Sequence, residues 1–264
     1  MVSDNCVRFP HALNLYRALP AATLVFAAAC STGPRDEPLT VAAAASLAPI
    51  LNELGEIYEE QTGEPVVFSY GSTGNLAQQI RNGAPFDVFV SADALRVDEL
   101  IAEALLDEGT RLAFARGILV LVEAPQLGLS LQSVEDLADP IVRDVAIANP
   151  RHAPYGMAAA QTLLRTGVEV KVLPKLVYGE SVRQAGLMVQ SGNVDAGLIA
   201  LSIAKSVGLD GLELPQELYD PIQHVAAVLS DAPRPEQAAR FLEFLSSPQA
   251  QALYRRLGLE PPGG

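Results

Sequence analysis

The segment FSYGSTGNLAQQI, residues 68–80, passes from a strand pattern through Gly-Ser-Thr-Gly into a helix pattern. The residues that lead into the loop are mostly β-branched or aromatic, which favours a strand, whereas Leu76 and Ile80 are spaced as on one face of a helix. A glycine-flanked loop at the start of a helix presents several backbone N–H groups together and can hold an anion. This loop contains no Lys or Arg, and Gly74 is followed by Asn75 rather than by the Lys-Ser/Thr of a nucleotide-binding P-loop. The segment therefore predicts a strand–helix unit with an uncharged anion loop.

The same order of strand and helix recurs from Leu39 to the end of the chain. Strand patterns occur in LTVAAAAS, FDVFVSAD, DVAIANP and HVAAVLS, and helical spacing of apolar residues follows each of the first three. GILVLVEA, residues 117–124, is a continuous apolar run, which predicts one strand covered on both faces. Repeated alternation of this kind predicts an α/β fold with mostly parallel sheets and helices on both faces.

Composition limits the classes of function. The chain has 264 residues, of which 31 are acidic and 18 basic, for a net charge of −13. Without clustered Lys or Arg it has no nucleic-acid surface, and because its overall field repels anions, an anion site must rely on local donors. The three histidines, His11, His152 and His224, show no metal-ligand spacing and are expected at the surface or in loops. Replacement of His152 is expected to leave ligand binding unchanged.

The first thirty residues predict a secretory signal. Arg8 and Arg17 precede ALPAATLVFAAAC, an apolar run that is too short and too rich in alanine for a membrane span. Its end resembles a bacterial lipoprotein cleavage box, in which Cys30 becomes the lipidated first residue, and residues 31–38 then form a tether. An ordinary signal peptide cleaved nearby is the alternative. Since Cys6 lies inside the signal, the mature chain is expected to have no internal disulfide and no cysteine metal cluster.

Uncharged junctions between strands and helices are the candidate binding positions, because ligands of open α/β sheets lie where strands end. Taken singly, Ser46 is explained as a helix N-cap, the GSTG loop as a turn, and Val182 as the first residue of an ordinary helix. Together they predict an oxyanion site, since each helix N-terminus supplies free N–H donors and a partial positive charge. The junctions are Ala44-Ala45-Ser46, Ser72-Thr73-Gly74, Ala153-Pro154-Tyr155-Gly156 and Glu180-Ser181-Val182.

Four segments carry a family resemblance. VAAAASLAPILNEL, YGSTGNLAQQIRNGAPFDVFVSAD, AIANPRHAPYGMAAAQTLL and GESVRQAGLMVQSGNVDAGLIALS occur in this order over nearly the whole chain after residue 38. They resemble the molybdate-binding proteins of bacterial ABC importers. The resemblance implies a type II periplasmic-binding-protein fold, in which two α/β lobes joined by crossing strands close on a tetrahedral oxyanion.

The resemblance also implies the ligand contacts. In the first lobe they match Ala45 and Ser46 and the hydroxyl residues Ser72 and Thr73, of which the alignment slightly favours Thr73. In the second lobe they match Tyr155 and the N–H of Val182. Many relatives have a tyrosine donor where this chain has Ala200, so the number of donors stays open.

A site made only of hydroxyl and N–H donors suits a fully ionised dianion such as molybdate, tungstate or sulfate. Hydrogen phosphate carries a proton and benefits from a carboxylate acceptor, and the nearest carboxylate, Glu180, is expected to point outward. Hydrogen bonds to a charged acceptor contribute about 1.5–3 kcal/mol each, so several account for tight binding without an ion pair. Rival interpretations are a sulfate- or tungstate-specific receptor, an enzyme that uses GSTG as an anion hole, and a purely structural lipoprotein.

The predicted organisation is a first lobe of residues 39–115 and 222–264 and a second lobe of residues 116–221. The predicted protein is not an enzyme and has no cofactor. It is a monomeric receptor in the periplasm or at the cell surface, tethered to the membrane if Cys30 is lipidated. Its expected partners are the oxyanion and the membrane permease subunits of an ABC importer.

Overall fold

Two mixed β-sheets with helices packed on them form the structure, a computed structural model in which residues 37–262 are described. The predicted signal segment 1–30, including Cys30, and most of the predicted tether lie outside the described residues. The strands are β1 (Leu39–Ala44), β2 (Val66–Gly71), β3 (Val88–Ser91), β4 (Leu112–Gly117), β5 (Leu119–Glu123), β6 (Val145–Ala148), β7 (Leu176–Gly179), β8 (Ala196–Ala200), β9 (Gly211–Glu213), β10 (Ile222–Val228) and β11 (Leu259–Glu260).

The helices follow the strands as the sequence predicts. They are α1 (Ala48–Thr62), α2 (Thr73–Arg81), α3 (Ala94–Ala102), α4 (Pro154–Arg165), α5 (Glu169–Val172), α6 (Val182–Gln190), α7 (Leu201–Ser206), α8 (Pro235–Leu245) and α9 (Pro248–Leu257), with short 3-10 turns between some of them. In the part of the chain that the structure describes, no helix combines the length and apolar character needed to cross a membrane.

The two sheets define two lobes. The six-stranded sheet has the order β11-β4-β10-β3-β1-β2, and we call it and its helices the first lobe. The five-stranded sheet has the order β7-β6-β8-β5-β9 and forms the second lobe. Strands β3, β1 and β2 are mutually parallel, as are β7, β6 and β8. The α/β architecture predicted from the sequence is therefore confirmed, and the sheets are mixed, because the pairings of β10 with β3 and β4, of β11 with β4 and of β5 with β8 and β9 are antiparallel.

The chain crosses from the first sheet to the second at a single residue and returns through a longer segment, residues 214–221. The apolar run at residues 117–124 is not one strand, because β4 pairs in the first sheet up to Gly117 while β5 pairs in the second from Leu119. Ile118 lies between them. The return crossing ends in β10, which pairs with β4 and β3. A continuous apolar pattern does not reveal this switch, because the residues on both sides of it are buried in one sheet or the other.

Helix α1 shows how the sequence produces the packing. Its apolar residues at helical spacing, Ile50, Leu51, Leu54 and Tyr58, are all almost fully buried. The helix ends at Gly63, which adopts the left-handed conformation with φ 75° that glycine tolerates. The helical spacing of apolar residues in the sequence thus correctly identifies the face of α1 that packs in the core of the first lobe.

Helix α4 begins earlier than the sequence pattern indicates. The apolar repeat starts at Met157, but the helix starts at Pro154, whose ring suits the first helical position. Tyr155 consequently lies in the first turn of α4, where backbone N–H groups have no partner within the helix.

Candidate functional site

A small cavity between the lobes brings the predicted junctions together. Its empty volume, open solvent included, is about 210 Å³. Of the six residues predicted to bind ligand, five line it, and the sixth, Ser46, is buried beside Ala45 in the chain. The lining residues are Ala44, Ala45, Gly71, Ser72, Thr73, Ala92, Ala153, Pro154, Tyr155, Ser181 and Val182.

Sheet register explains why distant junctions meet. Strands β1 and β2 are paired in parallel so that Ala44 lies opposite Gly71, and both strands end there. In the second lobe β6 and β7 are parallel neighbours, with Ala148 opposite Gly179. The carboxyl ends of parallel strands lie at one edge of a sheet, and these two edges face the same cavity.

Three α-helices begin at the cavity. Thr73 is the first residue of α2, Pro154 of α4 and Val182 of α6, and these helices have nine, twelve and nine residues. Their first-turn N–H groups lack partners within the helix, and their dipoles place partial positive charge at this end. The cavity is thereby suited to an anion without a charged side chain, as the sequence predicts.

The hydroxyls of Ser72 and Thr73 have different surroundings. Ser72 is the N-cap residue of α2, yet its side chain makes no capping hydrogen bond; its Oγ lies 2.9 Å from His152 Nδ1. Thr73 is fully buried, and its Oγ1 accepts a hydrogen bond from the N–H of Ala92 at 3.1 Å. The hydrogen of the Thr73 hydroxyl has no acceptor among the described residues. Thr73 is thus left with an unused donor at the cavity.

Ser46 does not cap a helix. It lies inside the 3-10 turn Ala45–Leu47, whose N-cap residue is Ala44, so the N-cap interpretation of Ser46 is wrong. Its Oγ is buried and has no hydrogen-bond partner in the described structure. A buried, unpaired hydroxyl costs about 1–3 kcal/mol. Such a group, next in the chain to the lining residue Ala45, is consistent with a donor reserved for a ligand.

The Tyr155 side chain is placed differently from its backbone. Tyr155 lines the cavity, but its hydroxyl is packed against Gly117 and beside His224, neither of which lines the cavity. A Cβ at Gly117 would lie 2.1 Å from the Tyr155 hydroxyl, so only glycine fits there. Burial raises the pKa of Tyr155, which stays protonated. The donor that Tyr155 offers to the cavity is therefore its N–H group in the first turn of α4.

Ala200 ends β8 and precedes α7. It is fully buried and does not line the cavity, so no hydroxyl is supplied from this position. The donors that remain are helix N–H groups and the hydroxyls of Ser46, Ser72 and Thr73.

No charged side chain lines the cavity among the described residues. Glu180 is exposed, as expected, with 77% of its side chain accessible, and its carboxylate lies 3.8 Å from His152 Nε2. Within residues 37–262, no group of three or more His, Cys, Asp or Glu side chains could hold a metal ion. The cavity thus offers donors and no strong acceptor.

One histidine is not where the sequence suggests, and another lies in a loop as expected but beside the cavity. His224 lies in β10 and is fully buried, which lowers its pKa to about 4 by desolvation, so it is neutral rather than a surface residue. His152 is at the cavity: its ring contacts Ser72, and its carbonyl oxygen accepts from the Gly74 N–H at 2.8 Å. The sequence did not indicate that His152 lies at the cavity, and unchanged ligand binding after its replacement stays a prediction. The position of His152 in the same loop as the APYG junction was the signal that could have shown its place at the cavity.

Ala92 is a further residue that sequence reasoning missed. It directly follows β3, a third strand that ends at the same sheet edge, and its N–H positions the Thr73 hydroxyl. The strand-end rule that selected the other junctions applies to β3 as well. Its small, apolar side chain gave no chemical signal.

Two α/β lobes joined by crossing strands, with helix N-termini around a cavity between them, define a solute-binding protein of the periplasmic type. Residues 39–260 match the family of bacterial extracellular solute-binding proteins, and the chain belongs to this family.

Three comparisons are informative. The molybdate-binding protein ModA of Rhodobacter capsulatus is 36% identical over 219 residues, covering 82% of this chain and 86% of that protein. The solved periplasmic molybdate-binding protein of Azotobacter vinelandii has a TM-score of 0.80 and 32% identity, covering 85% of this chain and all of that one. A putative ABC transporter substrate-binding lipoprotein, YvgL of Bacillus subtilis, is 29% identical over 83% of this chain and 85% of its own length. The family predicted from the four segments is confirmed.

Proposed function

We propose that this protein captures molybdate, and also tungstate, outside the cytoplasm and delivers it to the permease subunits of an ABC importer. The observation that carries the proposal is the cavity itself, in which the predicted residues meet as uncharged donors. Relatives named for molybdate binding, at 36% and 32% identity, support the choice of anion.

The ligand contacts follow from the geometry. We assign the hydroxyls of Ser46 and Thr73, together with the N–H groups of Ala45, Tyr155 and Val182, as donors to the oxyanion. Ser72 contributes its hydroxyl when His152 leaves that hydrogen free. Each hydrogen bond to a charged acceptor contributes about 1.5–3 kcal/mol, and the absence of a buried cation avoids its desolvation cost.

The chemistry of the cavity favours an inorganic dianion. Its lining consists of small and apolar side chains, hydroxyls and helix N-termini, with no group placed to recognise the organic part of a phosphate ester. A protonated oxyanion would place its O–H among donors with no carboxylate to accept it. Since molybdate and tungstate have the same charge and nearly the same size, the same donors serve both.

The lobes are proposed to close on the ligand about the two crossings. Because Arg116 and Gly117 pair in the first sheet, the border predicted after residue 115 moves to Ile118, so the first lobe spans 39–117 and 222–264 and the second 119–221. Contacts across the cavity support this motion: the Ser202 hydroxyl donates to the Ser46 carbonyl oxygen at 2.7 Å, and Gly74 bonds to His152. The protein is proposed to act as a monomer, without a cofactor and without catalysis. No nucleophile–base pair lines the cavity among the described residues.

The proposed location is the periplasm or the cell surface. The family is extracellular, and a lipoprotein relative supports a lipid anchor on Cys30. Metabolic labelling with a fatty acid, compared between the full chain and its Cys30→Ser variant, tests the anchor. Label that persists in the variant would contradict it.

Thermal unfolding with molybdate, tungstate, sulfate and phosphate tests the ligand. At about 100 times its dissociation constant a ligand adds roughly 2.7 kcal/mol of stability, a rise in Tm of about 5–10 °C for a chain of this size. Molybdate and tungstate at micromolar concentration should give this shift, whereas sulfate and phosphate should not. A shift with sulfate alone would identify a sulfate receptor, and no shift with any oxyanion would refute the proposal.

A further inference from the structure

Ser202 joins the second lobe to the first lobe by a buried hydrogen bond to Ser46. It is the second residue of α7, which directly follows β8 of the second sheet, and its hydroxyl donates to the Ser46 carbonyl oxygen at 2.7 Å. Both serines are 1% exposed, and 156 positions separate them in the chain. Since Ser202 does not line the cavity, it can influence a bound anion only through a neighbouring residue.

The 3-10 turn Ala45–Leu47 has little support of its own. It has three residues, and its N-cap residue, Ala44, makes no side-chain capping bond to it. Ala45 directly follows β1, whose last residue is paired with β2, so the sheet places its N–H group. Ser46 lies one residue further from the sheet, and its direction depends on what holds the turn. The bond from Ser202 supplies such a hold.

The backbone of Ser46 determines where its hydroxyl can lie. Once the Cα–Cβ bond has a fixed direction, the Oγ atom of a serine has three staggered positions. The Ser46 Oγ is buried and has no hydrogen-bond partner of its own in the described structure, so the side chain is placed through its backbone. A donor that is oriented before the ligand arrives gives tighter binding, because less conformational freedom is lost.

Helix α7 is packed closely from both lobes. In the second lobe, Gly186 of α6 lies so near that an added Cβ would be 2.5 Å from the Ile203 Cγ2. In the first lobe, an added Cβ at Gly258 would lie 2.8 Å from the Leu201 Cγ and 3.2 Å from the Ser202 nitrogen. These contacts leave the helix little room to shift, so the Ser202 hydroxyl is a firm reference point for Ser46.

We propose that Ser202 is a positioning residue for oxyanion binding: its hydroxyl holds the Ser46 backbone so that the Ser46 hydroxyl points at the anion. This role rests on the proposed function, in which Ser46 and the N–H of Val182 are donors from opposite lobes. Helix α6 begins at Val182 and packs on α7, so the bond fixes the Ser46 donor relative to the Val182 donor.

Titration calorimetry with molybdate on Ser202→Ala tests this role. The variant loses one hydrogen bond, and its dissociation constant should rise about three- to tenfold. Ser206→Ala is the matched control, because Ser206 lies in the same helix but its hydroxyl donates to the Ile203 carbonyl oxygen within α7. The control should bind molybdate with the affinity of the unmodified protein. Unchanged affinity in Ser202→Ala would overturn the role of Ser202.

A double-mutant cycle separates positioning of the Ser46 hydroxyl from a general tie between the lobes. In a Ser46→Ala background the carbonyl acceptor is kept but no hydroxyl is left to orient. Adding Ser202→Ala should then weaken molybdate binding by less than about twofold. A loss as large as in the unmodified background would show that Ser202 only ties the lobes together, and the positioning role would be wrong.

Failure of this role can be told apart from failure of the proposed function. If the unmodified protein binds neither molybdate nor tungstate, the proposed function fails. If it binds them and Ser202→Ala binds equally well, only the role of Ser202 fails.

Discussion

The backbone N–H of Gly74 donates to the carbonyl oxygen of His152 at 2.8 Å, and this bond joins the anion loop of one lobe to that of the other. The two backbone segments approach so closely here that a Cβ at position 74 would lie 2.8 Å from the His152 Cβ and 2.9 Å from its Cα. Glycine is thus required by contact between the lobes, and not by the fold of either lobe alone.

Gly74→Ala should therefore weaken binding without unfolding the protein. Overpacking of this kind costs about 1–3 kcal/mol, equivalent to roughly 5- to 150-fold in the dissociation constant, and it acts only when the lobes are together. Calorimetry with molybdate measures the loss, and the Tm of the ligand-free protein should change little. Gly109→Ala, on an exposed turn where the added Cβ would meet only Asp107, is the control. Equal affinities of Gly74→Ala and Gly109→Ala for molybdate would contradict the importance of the Gly74–His152 contact for binding.

Thr73→Val should weaken binding by about 1.5–3 kcal/mol, roughly 10- to 150-fold, because it removes a hydroxyl that donates to a charged acceptor. Thr73→Ser keeps the hydroxyl and the bond from the Ala92 N–H, so it should retain most of the affinity. Calorimetry on both variants decides the matter. If Thr73→Val binds the oxyanion with unchanged affinity, Ser72 rather than Thr73 is the hydroxyl donor of this loop.

Ser46→Ala should have opposite effects on stability and binding. The buried Oγ of Ser46 has no partner without ligand, so its removal should raise the free energy of unfolding by about 1 kcal/mol. The same change removes a donor to the anion and should weaken binding about tenfold or more. Urea unfolding and calorimetry give the two values, with the surface variant Ser191→Ala unchanged in both. A destabilised alanine variant would show that the hydroxyl has a partner in the protein.

Tyr155→Phe should leave oxyanion affinity within about twofold. The hydroxyl is packed against Gly117 and has no hydrogen-bond partner, whereas the N–H group at the start of α4 is unchanged by the substitution. Titration calorimetry is the measurement. A loss of tenfold or more would mean that the hydroxyl turns into the cavity when ligand binds.

Stability of the ligand-free protein should fall as the pH drops from about 6.5 towards 4. Burial holds the pKa of His224 at about 4, so in this window the unfolded chain binds a proton that the folded one does not. The difference from an unperturbed histidine corresponds to about 3 kcal/mol. This penalty is absent above the window and complete below it. Urea unfolding measures the free energy of unfolding at each pH. In His224→Phe this free energy should depend less on pH, whereas His152→Asn should keep the pH dependence of the unmodified protein. If the phenylalanine variant keeps the full pH dependence, other groups cause it.

Much of the fold and most of the site could be predicted from the chain. The helical spacing of Ile50, Leu54 and Tyr58 predicts a buried face because packing follows periodicity. The uncharged junctions at Ser72 and Val182 predict anion-binding helix ends because the first N–H groups of a helix have no partner within the helix. The site is readable because backbone donors depend on where helices begin, which is a local property.

The sequence by itself thus determined the elements, the family and the absence of charge at the binding junctions. Only the tertiary structure decided that the Tyr155 hydroxyl packs against Gly117, that His224 is buried, and that His152 contacts Ser72. It also revealed the switch between sheets at Ile118. The physical reason is separation along the sequence. Helical periodicity and capping depend on residues within a few positions of each other, whereas the His152–Ser72 contact joins positions 80 residues apart. Such a contact exists only where two lobes meet.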